Sequence, residues 1–375
     1  MQLLESDIRA FFALIRAGLW EEKVQLIPFG DVNWNSLYRL AQEQSVVGLL
    51  AAGLEHVEDT KVPQTLALSI AGDVLQLEQR NKAMNDFIAG TVAKLRSANI
   101  YTLVIKGQGV AQCYEKPLWR SSGDVDFFLS EENFIKAREY FRPMVEDEYD
   151  PDGKDARNIS AKLDSWDIEL HNNQFTGLSR RVDRGLKEVQ DAVFYGGNVR
   201  SWMDGGVQVF LPGVNEDIII IFTHFLKHFY KGGLGLRQIC DWCRLLWEYK
   251  DSINVAFLEK RLRRMGLMTE WKAFAAYAVD YLGMSIVAMP LYSEAQKWTR
   301  KAQRINGFVL EVGNMGHNRD NSYYGNKFFL IRKFGAFGRR LGDLCRHARI
   351  FPLDSIRFFP SIVMNGLIGA VKGVG

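Results

Sequence analysis

The sequence predicts an α+β fold in which a small sheet-based core is flanked by an N-terminal and a C-terminal helical lobe. Three observations carry this. Apolar residues recur at helical spacing through the first hundred residues, the pattern changes to short β-type runs from Ile100, and it returns to helical spacing beyond Pro212. The corresponding division is 1–98, 99–212 and 213–375. With 47% apolar residues over 375 positions, the chain can bury a substantial core and fill more than one lobe.

In chain order, the first helical signals are Ile8, Phe11, Phe12, Leu14 and Ile15, then Leu37, Leu40, Ala41, Val46, Leu49 and Leu50. A long helix follows from about Pro63 to Ser97, keeping its period through Leu66, Leu75, Leu77, Met84, Phe87, Ile88, Val92 and Leu95, with Asn99 as its stop. The β-type runs are YTLVIKG, DVDFFL, RNISAKLDS, WDIELHNNQF and VQVFLP, the last after a turn at Gly205 and Gly206. Helical stretches at about Gln108 to Cys113 and Glu131 to Phe141 sit between the first strands. The segments EDIIIIFTHFLKHFY and LRQICDWCRLLWEY open the C-terminal lobe.

Charged residues make up 24% of the chain with a net charge of +3, which does not point to nucleic acid or membrane. The charge is uneven, however. From Arg319 onward Lys327, Arg332, Lys333, Arg339, Arg340, Arg346, Arg349, Arg357 and Lys372 outnumber Asp320, Asp343 and Asp354, with Phe334, Phe337, Phe351, Phe358 and Phe359 interleaved. A solvated basic face is the default reading, and an acidic partner such as RNA or a membrane surface is the alternative. The N-terminus carries Glu5 and Asp7 in a helical rhythm, without a basic n-region or small-residue cleavage site. The apolar runs fall short of the about 20 residues that a spanning helix needs, so no membrane span is expected. Cys113, Cys240, Cys243 and Cys345 are irregularly spaced and read as reduced thiols of a cytoplasmic protein, those of Cys240-x-x-Cys243 being buried.

The chemistry centres on Gly123-Asp124-Val125-Asp126-Phe127-Phe128-Leu129. In a strand, positions i and i+2 share a face, so Asp124 and Asp126 project together while Val125 and Phe127 face away. Two carboxylates held that close repel unless a divalent cation lies between them, as in phosphoryl-transfer sites whose two ions stand about 3.5 to 4 Å apart. Glu169, in the run from Trp166 to His171, is the candidate third acid, and Asp167 on the same strand face is its alternative. Upstream, Val104-Ile105-Lys106-Gly107-Gln108-Gly109 places a strand before a glycine and a helix start, where backbone N–H groups can seat phosphate oxygens. Lys106 would add a point charge, and no Walker loop is present.

The run IKGQGVAQCYEKPLWRSSGDVDFFL, from Ile105 to Leu129, resembles the signature of the bacterial uncharacterised nucleotidyltransferase family within the DNA polymerase beta-like superfamily. Ile168 to His171, His224-x-x-x-His228 and Arg237-x-x-x-Asp241 resemble later parts of that signature. The resemblance implies a small mixed-sheet nucleotidyltransferase core and metal-dependent transfer of a nucleoside monophosphate from an NTP to an acceptor, with pyrophosphate leaving. It implies Asp124, Asp126 and Glu169 as ligands of Mg2+ (or Mn2+), and Gly107 as the triphosphate-contacting glycine. Gln108 departs from the family pattern, which has Ser or Gly there.

Lys106, Gly107, Gln108 and Arg120 are thus candidates for nucleotide binding, Arg120 having a structural ion pair with a loop carboxylate as its other reading. His171, Lys227 and His228 are candidates for a substrate pocket supplied by the helical lobe. The pair His224 and His228 lacks the glutamate and third ligand of a zinc site and reads as cleft-facing or structural. His224, Phe225, Phe229 and Tyr230 can stack a base, but at helical spacing such residues are more often core. Two rival functions stay open: an inactive nucleotide- or partner-binding protein of the same fold, kept in view by Gln108, and an RNA-modifying transferase gripping RNA with the basic tail. The acceptor, the NTP and the oligomeric state are not legible.

Overall fold

The computed structural model describes residues 4–145, 148–149, 158–314 and 342–371. Much of the basic, aromatic-interleaved stretch, including Arg319, Asp320, Lys327, Arg332, Lys333, Phe334, Phe337, Arg339, Arg340 and Lys372, lies outside the described residues.

Four helices come first: α1 (Glu5–Trp20), α2 (Trp34–Glu43), α3 (Val47–Leu54) and α4 (Gln64–Ser97). Glycines let α1 and α3 touch backbone to backbone. A Cβ at Gly18 would stand 2.1 Å from the Leu49 carbonyl oxygen, and one at Gly53 would stand 2.0 Å from that of Leu14. Helix α4 runs 34 residues, roughly 50 Å at 1.5 Å per residue. Asn99 stops it in the left-handed conformation (φ 57°), its N–H donating to Arg96 O while that of Ile100 donates to Leu95 O, the paired bonds of a Schellman end.

The core is a seven-stranded mixed sheet of β1 (Leu103–Ile105), β2 (Val125–Phe128), β3 (Glu148–Tyr149), β4 (Asn158–Leu163), β5 (Trp166–His171), β6 (Val199–Asp204) and β7 (Val207–Pro212). Its order is β3-β4-β5-β2-β1-β7-β6, with β2 antiparallel to β1 and parallel to β5. Helices α5 (Gly107–Ala111), α6 (Glu131–Phe141) and α7 (Arg180–Phe194) connect the strands. The alternation expected around the aspartates holds from Val125 onward. Val125 and Phe127, with Val104, Ile168 and Leu170, are buried against Met84, Ile88 and Val92 of α4 and Phe134 of α6. The opposite face, with Leu103, Ile105 and Phe128, joins a larger core containing the remaining helices.

Two expectations need correction. Asp124 is not inside the strand but one residue ahead of it, exposed, because β2 pairs only from Val125. The helix after β1 ends at Ala111, two residues short of Cys113. The sequence reading also missed three elements. Strand β6 is a sheet edge with no buried side chain, so it has no apolar alternation. Helix α7 buries only Val182, Leu186, Val189 and Val193 as its large apolar residues among many charged ones, and β3 is two residues long.

The C-terminal helices are α8 (Val214–Lys231), α9 (Leu236–Glu248), α10 (Val255–Met265), α11 (Met268–Asp280) and α12 (Gln296–Val312), then a helical stretch over 342–350 and α13 (Pro352–Val371). Phe222, Phe225, Phe229, Trp242, Trp271 and Phe274 form their fully buried centre. Helices from the two ends of the chain share one core, and long-range bonds tie α1 and the end of α2 to the end of α11 and to α12. Arg16 Nε donates to Tyr281 O (2.8 Å), Trp20 Nε1 to Leu282 O (2.6 Å) and Gln44 Nε2 to Val309 O (3.0 Å). Cys240 and Cys243 are buried free thiols, as read from their setting; Cys113 is buried as well, whereas Cys345 is exposed. Among the described residues no helix is long and apolar enough to cross a membrane.

Because Gly53 meets Leu14 backbone rather than a yielding side chain, Gly53→Ala should overpack the α1–α3 crossing and destabilise the protein by about 1–3 kcal/mol. Urea unfolding followed by circular dichroism checks this, with Gly72→Ala, inside α4 where a Cβ meets nothing, as the contrasting control that should gain up to about 1 kcal/mol.

Candidate active site

Strand pairing builds the site. Asp126 stands opposite Ile105 of β1 on one side and Glu169 of β5 on the other, and His171 lies two residues beyond Glu169 on the same face. After β1 the chain turns through Lys106 (φ 56°) and Gly107 (φ 34°) into α5. A lysine at positive φ is strained, a condition that surrounding structure must over-determine. Its ammonium supplies part of that hold, since Lys106 Nζ donates to Asp126 Oδ1 at 2.7 Å. His171 Nε2 lies 2.7 Å from the same oxygen and 3.1 Å from Glu169 Oε2.

These contacts set the charges. Burial works to raise the Asp126 carboxyl, but Lys106 and His171 outweigh it and hold it well below the usual carboxylate range. Burial works against the Lys106 ammonium, and the charges of Asp126 and Glu169 overcome this and keep it protonated. His171 is likewise raised, its bonds to Asp126 and Glu169 prevailing over burial and the Lys106 charge. Glu169 is lowered, chiefly by its bond to His171. Asp124 moves the other way, raised first by the charge of Asp126 and then by partial loss of water.

The ligand atoms of Asp126, Glu169 and His171 lie within 4.8 Å of one another. Two carboxylates and an imidazole suit a small divalent cation, and the repulsion that raises Asp124 is the repulsion that a cation relieves. The donor set therefore fits a metal ion. It differs from the expected trio in that His171 belongs to the compact cluster while Asp124 stands at its rim.

The cluster opens into a cavity of about 1350 Å³, including its solvent-facing mouth. Lys106, Gly107, Arg120, Asp124, Asp126, Glu169, His171, Lys227 and His228 all line it, so most of the residues singled out from sequence converge here. Two do not. Gln108 is buried and donates from Nε2 to Asn81 Oδ1 (3.0 Å) of α4, away from the cavity. Asp167 is exposed in an adjoining open groove, which shares Gly123, Asp124, Glu169 and Arg237 with the cavity.

Arg120 takes the ion-pair reading, with a helix carboxylate in place of a loop one. Its Nε and Nη2 donate to Asp241 Oδ1 and Oδ2 of α9, both at 2.7 Å, and its Nη1 to Ser121 O at 3.1 Å. Tyr114 Oη also donates to Asp241 Oδ1 (2.8 Å). Held on three sides inside the protein, this guanidinium is a strut for the loop leading into Asp124. The histidines of α8 face the cavity with Nε2 atoms 3.1 Å apart, and burial first, then nearby Lys106 and Lys227, keep both imidazoles well below their usual range, His228 at about 3. Phe225, Phe229 and Tyr230 are buried in the core.

Sequence reasoning passed over two participants. Asn81, fully buried in α4, donates from Nδ2 to Leu118 O (2.6 Å) and Arg120 O (2.8 Å) and accepts from Ser122 Oγ and Gln108 Nε2, so it fixes the loop before Asp124. No local pattern marks it. Arg237 donates from Nη1 to Ser121 O (3.0 Å), its buried Nε has no hydrogen-bond partner, and it lines both the cavity and the groove beside Asp124. The signal for it was available in Arg237-x-x-x-Asp241.

Compared with known proteins, residues 30–283 match the family model described as uncharacterised nucleotidyltransferase. No curated protein and no solved structure matches the chain.

Removing Asp241 alone would leave the Arg120 charge buried and unpaired. Asp241→Ala should therefore cost about 3–5 kcal/mol in denaturant unfolding, while the double variant Arg120→Met, Asp241→Leu should recover much of that loss.

Proposed function

The chain belongs to the uncharacterised nucleotidyltransferase family, and on that premise we propose that it moves a nucleoside monophosphate from an NTP to an acceptor hydroxyl or similar group. The observation that carries the reading is the cluster of Asp126, Glu169 and His171 with Asp124 at its rim, opening into a cavity that also presents Lys106, Lys227 and Arg237. Acids that hold a cation and bases that neutralise phosphate, facing one space, suit a triphosphate.

In this reading Asp124, Asp126 and Glu169 would hold Mg2+ or Mn2+, which when bound neutralises charge on the phosphates and orients them. Lys106 and Arg237 bind non-bridging phosphate oxygens, and Gly107 lets the backbone come close to them. His171 fixes the orientation of Asp126 and Glu169, a supporting role that keeps both carboxylates aimed into the cavity. The acceptor oxygen attacks the α-phosphorus, the bond to the β-phosphate oxygen breaks, and pyrophosphate carries away the electron pair. Glu169, half-buried where cavity and groove meet, orients the acceptor and takes up its proton. Catalysis on this scheme rests on positioning and charge neutralisation.

Asp126→Asn keeps the shape of the side chain and removes its charge. NTP-dependent pyrophosphate release should fall by at least about a hundredfold, with an unchanged far-ultraviolet circular dichroism spectrum. Chelation of divalent metal should abolish release by the wild type. An Asp126→Asn protein that turns over at the wild-type rate would rule the scheme out.

A further inference from the structure

The cavity has two unlike walls. One comes from the strand ends and α9 and carries Lys106, Asp124, Asp126, Glu169 and Arg237. The other comes from α7, α8 and the loop between β5 and α7, and presents Gln174, Phe175, Leu186, Ile221, His224 and His228, with Lys227 as its charged group. Resting on the nucleotidyl-transfer reading, we propose that this second wall holds the nucleobase of the donor triphosphate, with Phe175 as its stacking face and the His224–His228 pair reading its polar edge.

The argument starts from the ligand's own polarity. A nucleoside triphosphate has a strongly anionic end and an uncharged aromatic end, and a cavity charged on one wall and nearly uncharged on the other matches it in one orientation. Phe175 is an aromatic side chain left 37% exposed at a cavity wall, whereas Phe225 of α8, which also borders the cavity, is fully buried. The loop that carries it is anchored on both sides. Thr176 N (2.9 Å) and Oγ1 (2.7 Å) donate to Asp183 Oδ1, Lys231 Nζ donates to Thr176 O (2.5 Å), and Gln190 Nε2 donates to Asn172 O (2.5 Å). Such a ring costs no core packing to remove and offers a π-face to any base.

The histidines supply the polar edge. A hydrogen bond between two Nε2 atoms at 3.1 Å requires one imidazole to accept, so the pair cannot be doubly protonated, and burial favours the neutral form of both rings. With both rings neutral, that bond leaves the pair one Nδ1 acceptor and one Nδ1–H donor between them, the groups that distinguish base edges. Gln174, on the same wall, has a buried carboxamide nitrogen with no hydrogen-bond partner, a further donor on that side of the cavity.

The test is binding of the four NTPs and of inorganic tripolyphosphate to the full chain with Mn2+, measured by calorimetry for wild type, Phe175→Ala and His228→Gln. We expect wild type to prefer some NTPs over others and all of them over tripolyphosphate. Phe175→Ala should weaken the best NTP about tenfold and leave tripolyphosphate within about twofold, since stacking acts on the base alone. His228→Gln should narrow the preference among NTPs. Unchanged NTP affinities and preferences in both folded variants, or equal losses for NTP and tripolyphosphate, would overturn the base assignment while leaving nucleotidyl transfer standing. Wild type that binds neither NTP nor tripolyphosphate would overturn both.

Discussion

Burying the Asp126 carboxylate at 4% exposure is costly unless its charge is matched, and Lys106, just past β1, and His171, at the end of β5, match it. The rest of the site follows from that arrangement. The lysine must reach back from the strained turn after β1, the histidine must sit at the end of β5, and β2 must lie between those two strands. A slip of one residue in β2 would turn Asp126 toward α4 and bring Val125 or Phe127 into the cavity, so the apolar alternation that packs Val125 and Phe127 also fixes the acid.

The loop from Leu118 to Gly123 carries this precision to the helices. Asn81 and Arg80 of α4 bond its carbonyls from one side, Arg80 Nη2 donating to Gly123 O at 3.2 Å. Arg237 and the Arg120–Asp241 pair tie it to α9 from the other. Asp124 therefore sits at the end of a segment held by helices on both sides of it in sequence, and a change in how α4 and α9 pack would be felt first at the cavity mouth. Buried ion pairs of this kind contribute little net stability against apolar substitutes, which makes specification of the loop the better account of Arg120 and Asp241.

Much of the scaffold was legible because it rests on local signals. The long helix and its asparagine stop, the helix from Glu131 to Phe141, and the turn at Gly205 and Gly206, both at positive φ, follow from periodicity and turn chemistry, although the strand before that turn does not. The same-face logic identified the Asp126 face, and core burial was the default reading for Phe225, Phe229 and Tyr230. What was not legible depends on partners distant in sequence. Only the parallel register of β2 with β5 decides that Glu169, rather than Asp167, stands beside Asp126. Arg120 finds its carboxylate 121 residues away, and Gln108 turns to Asn81, 27 residues earlier on α4. Phe175 ends the β-type run WDIELHNNQF, but β5 stops at His171 and the ring is placed by a loop anchored on α7 and α8.

The most direct test of the central claim is a crystal structure of the protein with Mn2+ and an NTP analogue that cannot be cleaved at the α-phosphorus, using anomalous scattering to locate the metal. The account predicts a manganese peak roughly 2.0–2.2 Å from carboxylate oxygens of Asp126 and Glu169, with the triphosphate against Lys106 and Arg237. Analogue bound in the cavity with no metal at these acids, and with the contacts of Lys106 and His171 to Asp126 intact, would contradict it.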